Sequence, residues 1–106
     1  MYPIKFRDLR KFFSNFERSH RWVECEFVSH RRGSHCNAMV LFYEPGTETR
    51  VVAKFVVVNN QDASPGVQRD MLKIAKRYRE QSGSKALAKA RRDLHLGLRD
   101  FFRSRS

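Results

Sequence analysis

Residues 30–36 read HRRGSHC, and the segments on both sides of this motif have the residue pattern of β-strands. Residues 21–30 (RWVECEFVSH) alternate, so that every second side chain lies on one face, as a half-buried strand requires. Residues 36–44 (CNAMVLFYE) form an apolar run of strand length. The sequence therefore predicts that the motif is a turn joining two antiparallel strands, and this hairpin determines the fold class.

Outside the hairpin, apolar spacing predicts the remaining elements. Residues 4–16 place apolar side chains at spacings of three and four, which is typical of an amphipathic helix. The β-branched residues 50–58 predict a third strand, central in the sheet, after a turn at residues 45–49. Residues 65–80 predict a second helix capped by Ser64. A further helix over residues 85–102 completes an α+β fold of helix, three-stranded antiparallel sheet, helix and extra C-terminal helix.

The charge of the chain points to a polyanionic partner. The formal net charge is +11, and the residues from Arg69 onward hold twelve Lys and Arg against four Asp and Glu. Such a surplus favours nucleic acid, an anionic membrane or an acidic protein. No apolar stretch approaches the roughly 20 residues that a spanning helix needs, so no membrane partner is expected. We expect RNA contact through the C-terminal helices, with Lys73, Lys76 and Arg77 as phosphate ligands.

The opening motif has the residue types that bind and cleave a phosphodiester. Arg31 and Arg32 offer forked donors that match phosphate oxygens. Gly33 permits positive φ, so that successive backbone N–H groups can converge on an anion, and Ser34 adds a hydroxyl. His35 has an unperturbed pKa near physiological pH, and RNA cleavage without metal needs a base, an acid and cationic stabilisation. The residue types alone leave open whether His35 reacts or only contacts RNA.

Neighbouring residues offer alternatives that the residue pattern does not favour. His30, five residues before His35, is a possible second acid or base, and His20 is a more distant candidate. Cys25 and Cys36 do not have the paired spacing of a zinc finger, so no metal and no other cofactor is predicted. The two cysteines are expected to be reduced thiols in the cytoplasm. Residues 1–13 lack the apolar core of a signal peptide, which favours that location.

The motif and the order of elements together resemble the HicA-type toxins, a family of small mRNA interferases. The similar features are RRGSH (31–35), the strand that follows it, and SPGVQRDMLKIAK (64–76). The resemblance implies a double-stranded-RNA-binding-like α-β-β-β-α domain over residues 1–80, with residues 81–106 as a basic helical extension of that domain. It implies that His35 is the catalytic histidine of a Gly-Ser-His motif, and that an antitoxin of HicB type is the protein partner.

Two other functions fit the same sequence. The chain could be a nucleic-acid-binding module of the same architecture that grips phosphates by shape without cutting them. It could also be an interaction protein whose last helix docks on a partner or on a second copy. Phe101 and Phe102 end that helix on a thin apolar stripe, which makes self-association through the C-terminal helix the specific form of this hypothesis.

Overall fold

The computed structural model describes residues 2–29, 35–43, 50–58, 61–81 and 84–105. Within them the elements are α1 (Phe6–Ser19), β1 (Val23–Ser29), β2 (His35–Tyr43), β3 (Arg50–Val58), α2 (Pro65–Arg79) and α3 (Lys85–Ser104). The strands of this part of the chain form one antiparallel sheet of order β1-β2-β3. The predicted α+β class is confirmed, and the elements follow one another in the predicted order. The predicted turn at residues 45–49 lies outside the described residues.

The sheet has one buried and one exposed face because its strands alternate. On β3, Phe55 and Val57 are buried whereas Lys54 and Val56 are exposed. The prediction that β3 is central is wrong, because β2 lies between its two sequence neighbours. Consecutive antiparallel strands pair with each other, so the strand that is second in the chain is also second in the sheet. The apolar composition of β3 reflects burial of one face and does not indicate a central position.

The helices pack on the buried face and form the core with it. Phe13 of α1 is fully buried, and its ring centroid lies 5.7 Å from that of Phe27 and 5.8 Å from that of Phe55. Burying a phenylalanine side chain of this kind stabilises a fold by about 1.5–3 kcal/mol. The same core cluster contains Leu94 and Leu98 of α3. α3 therefore shares one core with α1 and the sheet.

α1 begins later than the apolar spacing predicts. The helix was expected over residues 4–16, but it spans Phe6–Ser19, and Ile4 instead forms an isolated β-bridge with Ala63. The two residues exchange backbone hydrogen bonds of 3.0 and 2.6 Å, and the Gln68 side chain donates to the Ala63 carbonyl at 2.9 Å. Ile4 is buried because its backbone pairs with a distant segment, which satisfies its polar groups outside any helix.

Serine caps define the starts of α2 and α3. The Ser64 hydroxyl accepts a hydrogen bond from the Val67 amide at 3.2 Å, and Pro65 occupies the first turn, so the predicted cap is confirmed. Ser84 caps α3 in the same way, accepting from the Leu87 amide at 3.2 Å. Each cap satisfies one of the N–H groups that the first turn of a helix leaves without a partner.

The end of α3 packs inside the molecule. Phe102 is 1 % exposed, and the Phe101 ring stacks on Phe12 of α1 with centroids 5.1 Å apart. Gly97 faces the Phe12 ring, and a Cβ there would lie 3.5 Å from it, which is ordinary van der Waals contact. The expectation that Phe102 docks on a partner is therefore wrong, since its side chain lies in the molecule's own core, whereas docking through the half-buried Phe101 stays a prediction. Self-association through another face of α3 stays a prediction.

Candidate nucleic-acid interface

His35 and Cys36, the last two residues of the HRRGSHC motif, lie at one end of the sheet. Five of the predicted site residues lie outside the described residues: His30, Arg31, Arg32, Gly33 and Ser34. The expectation that His35 belongs to the turn is wrong, because His35 is the first residue of β2 and its backbone pairs with Val58 of β3. The sheet ladder therefore fixes the backbone position of His35. The turn residues before it do not have to do so.

The chain brings the starts of α1 and α2 to this same end. β1 ends at Ser29, which pairs with Cys36 next to His35. The ring of Phe6, in the first turn of α1, lies 5.6 Å from the ring of Phe27 near the end of β1. Ile4, two residues before α1, forms a β-bridge with Ala63, two residues before α2, so the two helices start side by side. The positive ends of two helix dipoles therefore lie near the strand end that bears His35.

Cationic side chains of α1 and of Lys5, the residue that precedes this helix, line this end of the molecule. Lys5 and Arg7 form the walls of a shallow groove of about 270 Å³ together with Asp62. The guanidinium of Arg10 lies over the Phe27 ring, 5.3 Å from its centroid. A guanidinium held on an aromatic face keeps its hydrogen-bond donors at its edge, where they can reach a phosphate. None of these cations was among the predicted phosphate ligands.

α2 presents a continuous cationic surface, which we call the α2 ridge and define as Arg69, Lys73, Lys76 and Arg77. All four side chains are exposed, and the ridge covers about 12 Å along the helix axis. The structure therefore brings together the three predicted ligands on α2 and adds Arg69. Among the residues that the structure describes, no member of the ridge forms an ion pair. Its charge is therefore available to an external anion.

A groove lies on each side of the α2 ridge. On the sheet side, the exposed Val56 of β3 and the α2 residues Met71 and Ile74 line a depression of about 370 Å³. On the other side, Leu72 of α2 and His95 of α3 line a groove of about 280 Å³. We call the second depression the His95 groove, and its remaining lining residues belong to the ridge: Arg69, Lys73 and Lys76. Both grooves have apolar walls, but the rim of the sheet-side depression holds Asp70 beside Lys73 and Arg77, whereas the described rim of the His95 groove holds cations alone.

His95 lies on α3 where that helix docks against α2, and the nearby side chains of α2 define its surroundings. Arg79 places its Nη1 3.2 Å from Nδ1 of His95. Burial lowers the pKa of His95, and the nearby charges of Arg79, Arg99 and Lys76 lower it further, against an opposing effect of Glu80. The neutral imidazole is therefore favoured at neutral pH. The contact depends on the docking of α2 against α3, which the sequence pattern did not reveal.

His20 has a structural role that excludes it as an assistant to His35. Its Nε2 lies 2.9 Å from Oδ2 of Asp93 in α3, and its Nδ1 lies 2.9 Å from the Phe16 carbonyl. His20 precedes β1, whereas His35 lies beside the opposite end of that seven-residue strand. A strand of this length spans about 20 Å. The hypothesis that His20 assists His35 is therefore wrong.

The cysteine whose side chain the structure describes, Cys25, is a half-buried thiol. Cys25 is free of any disulfide, and burial, assisted by the negative charge of Glu17, raises its pKa to about 12. A thiol with so high a pKa is a poor nucleophile and a poor metal ligand at neutral pH. Within the described ranges, no group of three or more His, Cys, Asp and Glu side chains is arranged to hold a metal ion.

Comparisons with known proteins found no match to this chain among protein-family models, curated proteins or solved structures. In the part of the chain that the structure describes, no helix combines the length and apolarity that a membrane span requires.

Proposed function

We propose that this protein binds RNA through the α2 ridge and cleaves it without metal, with His35 as the acid or base. The α2 ridge is the observation that carries RNA binding, because its four cations lie in one row and none is neutralised by a described carboxylate. Neutralising phosphates with such cations releases condensed counterions, which is the main source of affinity for nucleic acids. A toxin of HicA type acting on mRNA in the cytoplasm is the specific form of the proposal.

The position of His35 supports the catalytic part of the proposal. The Ile4–Ala63 bridge places the start of α2 beside the start of α1, and the Phe6 ring of α1 contacts Phe27 near the strand end that bears His35. A strand of RNA lying on the ridge would therefore lead toward that strand end. In the proposed step, the 2′-oxygen attacks phosphorus while a base removes its proton, and the 5′-oxygen leaves after receiving a proton from an acid. The P–O5′ bond breaks and a P–O2′ bond forms. The products are a 2′,3′-cyclic phosphate and a free 5′-hydroxyl.

Arg31, Arg32 and Ser34 would hold the scissile phosphate in this mechanism. Guanidinium groups at the equatorial oxygens stabilise the charge that develops on the phosphorane-like transition state. Gly33 would let the turn approach the phosphate closely. His30, adjacent to the pair of arginines, would supply the second proton-transfer group. No metal or cofactor is required by this sequence of steps.

Cleavage by a His35→Ala variant tests the proposal. A 5′-labelled mRNA fragment is incubated in EDTA with wild type, His35→Ala and, as a control, Lys11→Ala, which alters an exposed side chain on α1. Loss of one proton-transfer group should slow cleavage by about 10²–10⁴-fold while RNA binding and thermal unfolding stay close to wild type. Product ends should be cyclic phosphates. Undiminished cleavage by His35→Ala would refute the role of His35.

A binding module without catalysis is the second candidate function. The exposed ridge and its two flanking grooves favour it directly, since they need no reacting group. It predicts tight RNA binding by wild type with no cleavage in EDTA or in growing cells. Expression of wild type and His35→Ala would then have equal effects on growth, whereas a toxin should arrest growth only when His35 is present.

An antitoxin of HicB type would be the protein partner of the toxin. Charge complementarity requires that such a partner present an acidic surface to the ridge and cover the strand end that bears His35. Binding of the partner and of RNA should then be mutually exclusive. Competition between a labelled RNA and the product of a neighbouring reading frame would test this expectation.

A further inference from the structure

The His95 groove has a chemical composition that differs from that of a simple cationic surface. Its floor is the half-buried Leu72 side chain, and its rim holds Arg69, Lys73 and Lys76 of the α2 ridge. His95 closes the groove from α3. An apolar floor beneath converging cations suits a ligand with a flat apolar part and an anionic part. A nucleotide has both parts.

The hydrogen bond from Arg79 fixes the tautomer of His95. A guanidinium has only donors, so Nδ1 of His95 must accept the 3.2 Å hydrogen bond. The proton of the neutral ring therefore lies on Nε2, which is left as a donor. Arg79 is thus a positioning residue that orients the ring and assigns its free N–H.

We propose that the His95 groove binds one nucleotide of single-stranded RNA, its base against Leu72 and His95 and its phosphate between Lys73 and Lys76. This inference rests on the proposed function, since it assigns a second contact to the RNA that His35 would cleave. A double helix does not fit this arrangement, because its bases are stacked inside and only its phosphates would reach the rim. A single strand offers an unstacked base together with its phosphate.

The charged groups around His95 predict that RNA binding at this site is linked to proton uptake by His95. The facing charged groups are Lys76, Arg79 and Glu80 from α2 and Arg99 from α3. A bound phosphate would offset the cations that disfavour the imidazolium form, so His95 would take up a proton at Nδ1 more readily in the complex, and the Arg79 guanidinium would then release Nδ1. Because the folded free protein holds His95 with a lowered pKa, RNA affinity should rise as pH falls toward 5.5 and level off above pH 7.

The proposal is tested with a fluorescein-labelled oligouridine 12-mer whose 2′-positions are O-methylated, so that cleavage cannot occur. Its affinity for the full-length protein is measured by anisotropy at several salt concentrations and compared with that of an RNA hairpin. Lys76→Ala should weaken oligouridine binding and reduce the slope of log K against log salt by about 0.7, the value for one phosphate of a single strand. The control Lys11→Ala should leave that slope unchanged.

His95→Gln supplies the second measurement, because glutamine keeps a donor but cannot titrate. The variant should retain binding at pH 7.5 and lose the increase in affinity at pH 5.5. The imidazole resonances of His95 are identified by their absence from the spectrum of His95→Gln. In wild type, the pKa obtained from these resonances should rise when the oligouridine is added.

The outcomes separate this proposal from the proposed function. If Lys76→Ala weakens oligouridine binding but His95→Gln keeps the pH dependence of wild type, the His95 groove is not a nucleotide-binding site, and the proposed function still stands because Lys76 also belongs to the α2 ridge. If Lys76→Ala weakens binding and His95→Gln loses the increase in affinity at pH 5.5, but wild type does not cleave RNA, the catalytic proposal fails and the groove remains. Equal affinity for the hairpin and the single strand, with the same dependence on Lys76, would also overturn the single-strand assignment.

Discussion

Replacing Gly97 by alanine is expected to stabilise the protein, although Gly97 faces an aromatic ring. A Cβ at this position would lie 3.5 Å from Cζ and 3.6 Å from Cε2 of Phe12. These are ordinary van der Waals distances, so the added methyl group would contact the ring without moving α1. Gly97 lies within α3, far from both ends of the helix, where glycine is unfavourable relative to alanine.

The expected gain has two parts. Glycine in a helix interior costs about 0.8–1.0 kcal/mol relative to alanine, mainly through backbone entropy. Partial burial of one methyl group against the ring adds roughly 0.4 kcal/mol, half the value of a fully buried methylene. We therefore expect Gly97→Ala to raise the free energy of unfolding by about 1 kcal/mol and Tm by about 4–6 °C. Urea unfolding followed by circular dichroism should give a higher midpoint with an unchanged slope.

Gly97→Leu is the matched control, because its longer side chain would have to displace the Phe12 ring. Overpacking of this kind costs about 1–3 kcal/mol, so the leucine variant should unfold at lower urea than wild type. A destabilised Gly97→Ala variant would refute the packing of α1 on α3. A leucine variant as stable as the alanine variant would show that the space beside Phe12 is open, which also contradicts the structure.

Three further outcomes follow from single contacts. Ser64→Ala removes the N-cap of α2 and should lower the free energy of unfolding by about 1 kcal/mol, whereas Ser64→Asp should keep stability near wild type in the same urea assay. Burial raises the pKa of Asp93, but hydrogen bonds from Lys89 and His20 outweigh burial, and the net pKa is lowered. The folded form therefore gains stability above the unfolded pKa of about 3.9 and loses it as pH falls below that value. The difference in free energy of unfolding between wild type and Asp93→Asn should shrink between pH 5 and pH 2.5. A constant difference would contradict the ion pair. Burial raises the pKa of Cys25 to about 12, so iodoacetamide at pH 7.5 should not detectably alkylate it over hours in native protein but should do so rapidly in urea. Peptide mass spectrometry measures both rates. Rapid modification of the native thiol would show that it is accessible.

Local features of the fold could be predicted from the sequence because each depends on neighbouring residues. Alternation in residues 23–28 and the apolar run of β3 identified strands, since a strand needs only a period of two. Ser64 followed by Pro65 identified the start of α2, since a cap acts within one turn. The departure of Ile4 from the predicted helix has the opposite cause. Its partner, Ala63, is distant in the chain, and no local sequence pattern indicates that the two residues pair.

The candidate site was predictable in its charges and not in its geometry. Lys73, Lys76 and Arg77 were found because three cations within five residues of a helix must be near one another. The pairing of Arg79 with His95 joins two helices, and that of His20 with Asp93 joins residues 73 apart. Such contacts depend on how helices dock, and docking is decided by side-chain packing across the whole core. Sequence periodicity identifies the faces that pack but not which residues meet.

The bridge between Ile4 and Ala63 joins the N-terminal segment to the turn that starts α2. The amide of each residue is held by the carbonyl of the other, and the Gln68 side chain donates both to the Ala63 carbonyl and, at 2.7 Å, to the Tyr2 carbonyl. Opening of the N-terminal segment would therefore release the turn that starts α2, and in native-state hydrogen exchange the amides of Ile4 and Ala63 should exchange as one cooperative unit. A ligand that holds the first turn of α2 would slow exchange at Ile4, so an isotope label there would report on an event at a helix sixty residues away in the chain.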